Sequence, residues 1–167
     1  MPANKKPRKA YRPKHILADP VGFVTERITP ITRHDSYLLD LQLKNSGAMA
    51  ALMQGRASKR DMDILIAMSN IVEALQQQGF GKDYGEVAVS GREAIMKIVW
   101  RAVDKLKFIP TGPEIKALNE LMELHDAQME VITVQNLEDA IAFAKKLIRE
   151  KHAAMLPHVP VELQEKV

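Results

Sequence analysis

The chain has no cysteine among its 167 residues. That excludes disulfides, thiolate metal sites and cysteine nucleophiles together. It fits a reducing compartment, and a cytoplasmic location is the expectation. Aromatic residues make up only 5%, with a single tryptophan at Trp100, so the core must be largely aliphatic and methionine-based. No apolar run approaches the ~20 residues that span a bilayer, so no membrane partner is expected. No apolar stretch follows the start in the manner of a secretory signal. Residues 1–14 contain no acid at all.

Positive charge fills that acid-free stretch. Lys5, Lys6, Arg8, Lys9, Arg12 and Lys14 stand there with Pro2, Pro7 and Pro13 between them. Setting these six cations aside from the net charge of +3 leaves the other 153 residues at −3. Basicity therefore belongs to an N-terminal arm, and the body is mildly acidic. The prolines break any helix and hold the residues before them extended. So little apolar surface cannot offset the entropy of ordering, which predicts an arm that is flexible when free. Cations on an extended chain can follow phosphates and release condensed counterions. Six such contacts on a duplex imply a log–log salt slope of about −5. Tyr11, beside Arg12, offers a stacking surface for an unpaired base.

Residues 16–34 carry Pro20, Gly22 and Pro30 among β-branched side chains. This predicts a short extended bridge that packs Phe23 and Ile28 on the body. The sequence thus divides into arm and linker over 1–34, a helical body over 35–156 and a loose tail over 157–167, where two prolines recur nearby.

The body reads as helical, in five segments. The first spans about 36–54, with Asp35 as N-cap and Gly55 as stop. The second spans about 59–78, and Ser58 with Asp61 has the spacing of a capping box. A third starts near Ser90, where Glu93 repeats that spacing, and runs to about Lys107. Thr111, Pro113 and Glu114 mark the start of the fourth, which reaches about Ile132. The fifth spans about 137–153 with Asn136 as cap. "VITVQN" leaves open whether the last two are one bent helix. Short links between amphipathic helices favour antiparallel packing. The expected fold is an all-α compact bundle of four or five helices.

Candidate functional residues follow from these wheels. Lys97, Arg101 and Lys105 line up at i, i+4 and i+8 as a ridge that phosphates could follow. Glu93 and Asp104 stand at pairing distance from Lys97 and Arg101, which offers the plainer explanation of an ordinary ion-paired face. His125 and Asn45 each fall at the centre of an apolar stripe. Buried there, each needs a hydrogen-bond partner, and they would suit each other. A metal or catalytic centre at His125 is the weaker alternative. Glu120, Glu123, Asp126 and Glu130 share a face that reads as solvated. Methionines fill inner positions, whereas an exposed patch at Met49, Met53 or Trp100 would signal a partner helix or a homodimer.

No nucleophile elbow, zincin helix, phosphate loop or dinucleotide fingerprint occurs, so neither enzymatic activity nor a metal or cofactor is expected. A helix-turn-helix is disfavoured by the long link over 79–90. The leading expectation is a non-enzymatic nucleic-acid-associated protein. Its arm would contact DNA or RNA phosphates, and its bundle would oligomerise or recruit a partner. The alternative is a protein–protein adaptor or inhibitor that acts through its helical surface.

Overall fold

The computed structural model describes residues 20–33 and 35–150. Among them are six α-helices: α1 (Pro20–Ile28), α2 (Asp35–Met53), α3 (Lys59–Gln77), α4 (Gly85–Lys105), α5 (Gly112–Val131) and α6 (Val134–Arg149). Two 3-10 turns, Ile31–Arg33 and Lys82–Tyr84, join them. The all-α bundle expected from periodicity is the fold, with one helix more than the five segments that show that period.

Helices α2 to α5 form the body of the bundle. α3 packs on α2, α4, α5 and α6, and α4 and α5 form the closest pair. α3 holds this central place because its apolar residues run nearly all round: Met62, Leu65, Ile66, Met68, Val72 and Leu75 are all buried. Side chains of that size stabilise by roughly 1.5–3 kcal/mol each when fully buried. A main core cluster unites Leu52, Met62, Leu65, Ile95, Ile98, Phe108, Leu118 and Leu121. A second joins Ile31, Leu75, Met129, Ile132 and Leu137.

Capping boxes set the starts of three helices. Ser58 and Asp61 form the reciprocal box expected of them at α3, with the Ser58 amide donating to the Asp61 carboxylate at 2.7 Å. Thr111 and Glu114 do the same at α5. At α6 the cap is Thr133, one turn earlier than expected. Asn136 is the third helical residue and closes the box by accepting from the Thr133 amide at 3.0 Å. Ile132, with φ −90° and ψ 161°, leaves the helical region, so α5 and α6 are separate.

Two further elements differ from expectation. The extended segment predicted over 16–34 is helical from Pro20 to Ile28. Proline at the first helical position loses no hydrogen bond. The Thr25 and Thr29 hydroxyls donate to the carbonyls of Val21 and Thr25 at 2.9 and 2.7 Å, an intrahelical use of side chains that otherwise favour strands. Ile28 does not pack on the body but stands 61% exposed. The second difference is at α4, which begins at Gly85 and not near Ser90. Ser90 is an exposed mid-helix residue, and Glu93 pairs with Lys97 instead of closing a box. Gly91 serves packing. A Cβ there would stand 2.7 Å from the Leu121 Cβ, so its absence lets α4 and α5 close together.

The N-terminal segment is tied to the α5–α6 break. Pro30 bridges Thr133 in antiparallel fashion, the Ile31 amide donates to Ile132 O, and the Val134 amide donates to Thr29 O, both at 3.1 Å. Arg27 lies 3.4 Å from Glu138 and 3.7 Å from Asp139 on α6.

Candidate nucleic-acid-binding surface

The arm residues Lys5, Lys6, Arg8, Lys9, Tyr11, Arg12 and Lys14 lie outside the described residues. The ridge on α4 lies within them, and it does not present three free cations. Lys97 pairs with Glu93 at 3.1 Å on an exposed face. Arg101 turns to α5 and grips Glu114 with both guanidinium nitrogens, Nη1 to Oε1 at 3.1 Å and Nη2 to Oε2 at 2.5 Å. Nη2 also donates to the Ile109 carbonyl at 3.0 Å. The pairing with Asp104 anticipated from spacing gives way to this bond, because Glu114 offers a fork to the guanidinium in a drier place. Lys105, at the end of α4, is exposed and has no ion-pair partner among the described residues.

Glu114 is therefore a structural anion. Burial pushes its carboxyl up. Hydrogen bonds from Arg101 and Thr111, with the Arg101 charge, outweigh burial and hold it below the ordinary glutamate value.

The two polar residues predicted to lie inward are inside. His125 is 0% exposed and Asn45 is buried on α2. They do not bond to each other. His125 Nδ1 lies 3.3 Å from Asp126 Oδ1, while His125 Nε2 and Asn45 Nδ2 have no hydrogen-bond partner among the described residues. Asp126 thus reaches His125 although the helical wheel turns it away. Gln128, unremarked in sequence, does more: its amide donates to Val72 O at 3.2 Å and Phe80 O at 3.0 Å, fastening the exit of α3 to α5. No group of three or more His, Asp or Glu side chains suited to a metal occurs among the described residues. None of the described helices is long and apolar enough to cross a membrane.

Several other cations of the body are paired, while Arg33, Lys82, Lys145, Lys146 and Arg149 have no ion-pair partner among the described residues. Lys44 meets Asp40 at 2.5 Å, Lys59 meets Asp63 at 2.6 Å, Lys116 meets Glu120 at 3.7 Å, and Arg92 on α4 bonds Glu73 on α3. One end of the bundle gathers unpaired cations from two separate parts of the chain. There the α2–α3 link and the α4–α5 link meet: the Lys107 Nζ lies 3.5 Å from where a Cβ on Gly55 would sit. Phe108 from one link and Ala57 from the other are buried in the same cluster. Arg56, Arg60, Lys105 and Lys107 are exposed around this end, and none has an ion-pair partner among the described residues. Sequence reading does not single out Arg56, Arg60 or Lys107, because about fifty residues separate the two links. The available signal is topological, since successive antiparallel hairpins return alternate links to one end.

Apolar faces are exposed on three helices, the first being Val21, Val24 and Ile28 on α1. On α4, Val89 and Trp100 lie outward with half-buried Met96 and Val103 between and beyond them. On α2, Leu39, Leu43 and Met53 are exposed opposite the buried Ala48 and Leu52, while Met49 faces inward. No protein-family model, curated protein or solved structure matches the chain.

Proposed function

We propose that this is a non-enzymatic nucleic-acid-associated protein, whose basic arm contacts DNA or RNA phosphates while the helical bundle carries it into an oligomer or a larger assembly. The single observation behind this reading is charge segregation. Six cations stand without an acid in residues 1–14, whereas Lys44, Lys59, Arg92, Lys97, Arg101 and Lys116 in the bundle each meet a carboxylate. Cations that pair internally release no counterions to a ligand. Cations on an acid-free arm do.

Binding to labelled DNA and RNA over a salt series tests this, with the full chain and with a variant whose six arm cations are glutamines. Wild-type affinity should fall steeply with salt, and the variant should lose most of it. Equal binding by both proteins would refute the arm's role.

The exposed Leu39, Leu43 and Met53 favour a second reading, a protein–protein adaptor or inhibitor that uses α2 as its contact. Absence of nucleic-acid binding at low salt, with self-association that Leu43→Glu abolishes, would favour it.

A further inference from the structure

Four exposed cations without ion-pair partners among the described residues, contributed by two links far apart in sequence and by the helix turns that flank them, are not needed to hold the bundle together. Arg56, Arg60, Lys105 and Lys107 carry +4, and exposed Asp104 is the acid beside them that no ion pair occupies. The remaining acids of these links are engaged: Asp61 caps α3, Asp63 holds Lys59, and Glu114 holds Arg101. Concentrating unpaired charge at one end costs self-repulsion, which an anionic ligand relieves. Trp100, the only tryptophan, stands 60% exposed about one and a half turns up α4 from Lys105. Five residues advance about 7 Å along the helix and turn it by about 140°, so Trp100 stands near this end but on another side of α4 from Lys105. A strand that bends round α4 would meet a π-face for a base there and charges for the flanking phosphates at the end. Arginine adds a planar fork matched to phosphate oxygens.

From this we infer that the end of the bundle formed by the α2–α3 and α4–α5 links is a second nucleic-acid contact, which takes a single strand with phosphates on Arg56, Arg60, Lys105 and Lys107 and a base on Trp100. This inference rests on the proposed nucleic-acid function and adds to it a site on the folded body. It also displaces the Lys97–Arg101 ridge, whose cations are spent on Glu93 and Glu114.

The test uses the full chain in three forms: wild type, the variant with six arm glutamines, and an end variant carrying Arg56→Gln, Arg60→Gln, Lys105→Gln and Lys107→Gln. All four end positions are exposed, so thermal melts should match wild type. Probes are a short labelled oligothymidylate, a duplex of equal length, and polyglutamate as a phosphate-free competitor. The end variant should bind the single strand more weakly, with a log–log salt slope shallower by about 3 units, since each single-strand contact contributes about 0.7. Trp100 emission should be quenched by the oligothymidylate in wild type, and at low salt in the arm variant also. Wild-type affinity and slope in the end variant, or unchanged Trp100 emission at saturation, would overturn the inference and leave the arm reading standing. Displacement by polyglutamate as readily as by nucleic acid would overturn it in favour of an acidic protein ligand. Tighter binding of the duplex would overturn the single-strand assignment. A wild-type chain that binds none of the nucleic acids at low salt removes both the inference and the reading beneath it.

Discussion

Replacing Glu114 by glutamine should unclasp the α4–α5 hairpin, and its size can be worked from the contacts. The carboxylate receives two bonds from Arg101 and one from the Thr111 amide, the last at 2.7 Å. An amide of the same shape must turn its own N–H groups toward at least one of these donors. Breaking a buried ion pair costs about 3–5 kcal/mol. The Glu114 side chain is 9% exposed but Arg101 is 29% exposed and can recover some hydration, so we expect a loss of about 2–3 kcal/mol. In a domain of this size each kcal/mol moves the midpoint by about 2–4 °C, giving a fall of roughly 5–10 °C at pH 7. A cycle with Arg101→Met should return a coupling of about 1–2 kcal/mol. Acid adds a second check. Because the folded-state pKa of Glu114 is lowered, its contribution is complete above the unfolded glutamate value and disappears as pH falls through the folded one. The gap between wild type and Glu114→Gln must therefore close in that acidic window. A variant within about 0.5 kcal/mol of wild type at pH 7, or a gap that persists at the acid end, would refute the clasp as described.

Gly91→Ala should destabilise by about 1–3 kcal/mol in a urea melt, because the new methyl meets the Leu121 Cβ, which cannot swing aside. Leu106 caps α4 in the left-handed region at φ 50°, so Leu106→Gly should stabilise by about 1 kcal/mol despite losing a side chain. Ser58→Ala removes half of the α3 box and should cost about 1 kcal/mol. His125→Leu fills the same buried place without the unpartnered Nε2, and chemical denaturation should show it as stable as wild type or more so. Loss of several kcal/mol would show that the imidazole has a partner essential to the core.

Where side chains alone set local structure, sequence was a sufficient guide. The boxes at Ser58 and Thr111 are local, three-residue devices, and both form as their spacing dictates. The stripes of α3, α4 and α5 are largely buried as their period requires, except at the end of α4, where Val103 is half-buried and Leu106 is exposed. Elsewhere two local signals competed and the longer-range one won. Ser90 and Glu93 have capping spacing, yet α4 runs through them because Gly91 must lie against Leu121. Thr133 outranks Asn136 as the cap of α6 because Thr133 also bridges Pro30, a contact between residues far apart in the chain. α1 was obscured by its own composition, since proline, glycine and β-branched residues read as extended until the threonine hydroxyls find carbonyls one turn back. At the candidate surface the lesson is the same. Arg101 looked available because Glu114 is thirteen positions away and on another helix, and the basic end went unseen because its members come from two separate links.

The pairing of residues 29–31 with 132–134 also ties the segment ahead of α2 to the end of the bundle where α5 and α6 meet. Residues 29–31 thereby form one strand of a knot whose other strand is the junction of the last two helices. Through that knot Ile31 plugs the second core cluster, and Thr133 joins it to the first turn of α6. Trimming the chain ahead of Thr29 should spare that knot. Trimming beyond Ile31 would uncork Ile132 and Leu137 and set the last helix adrift.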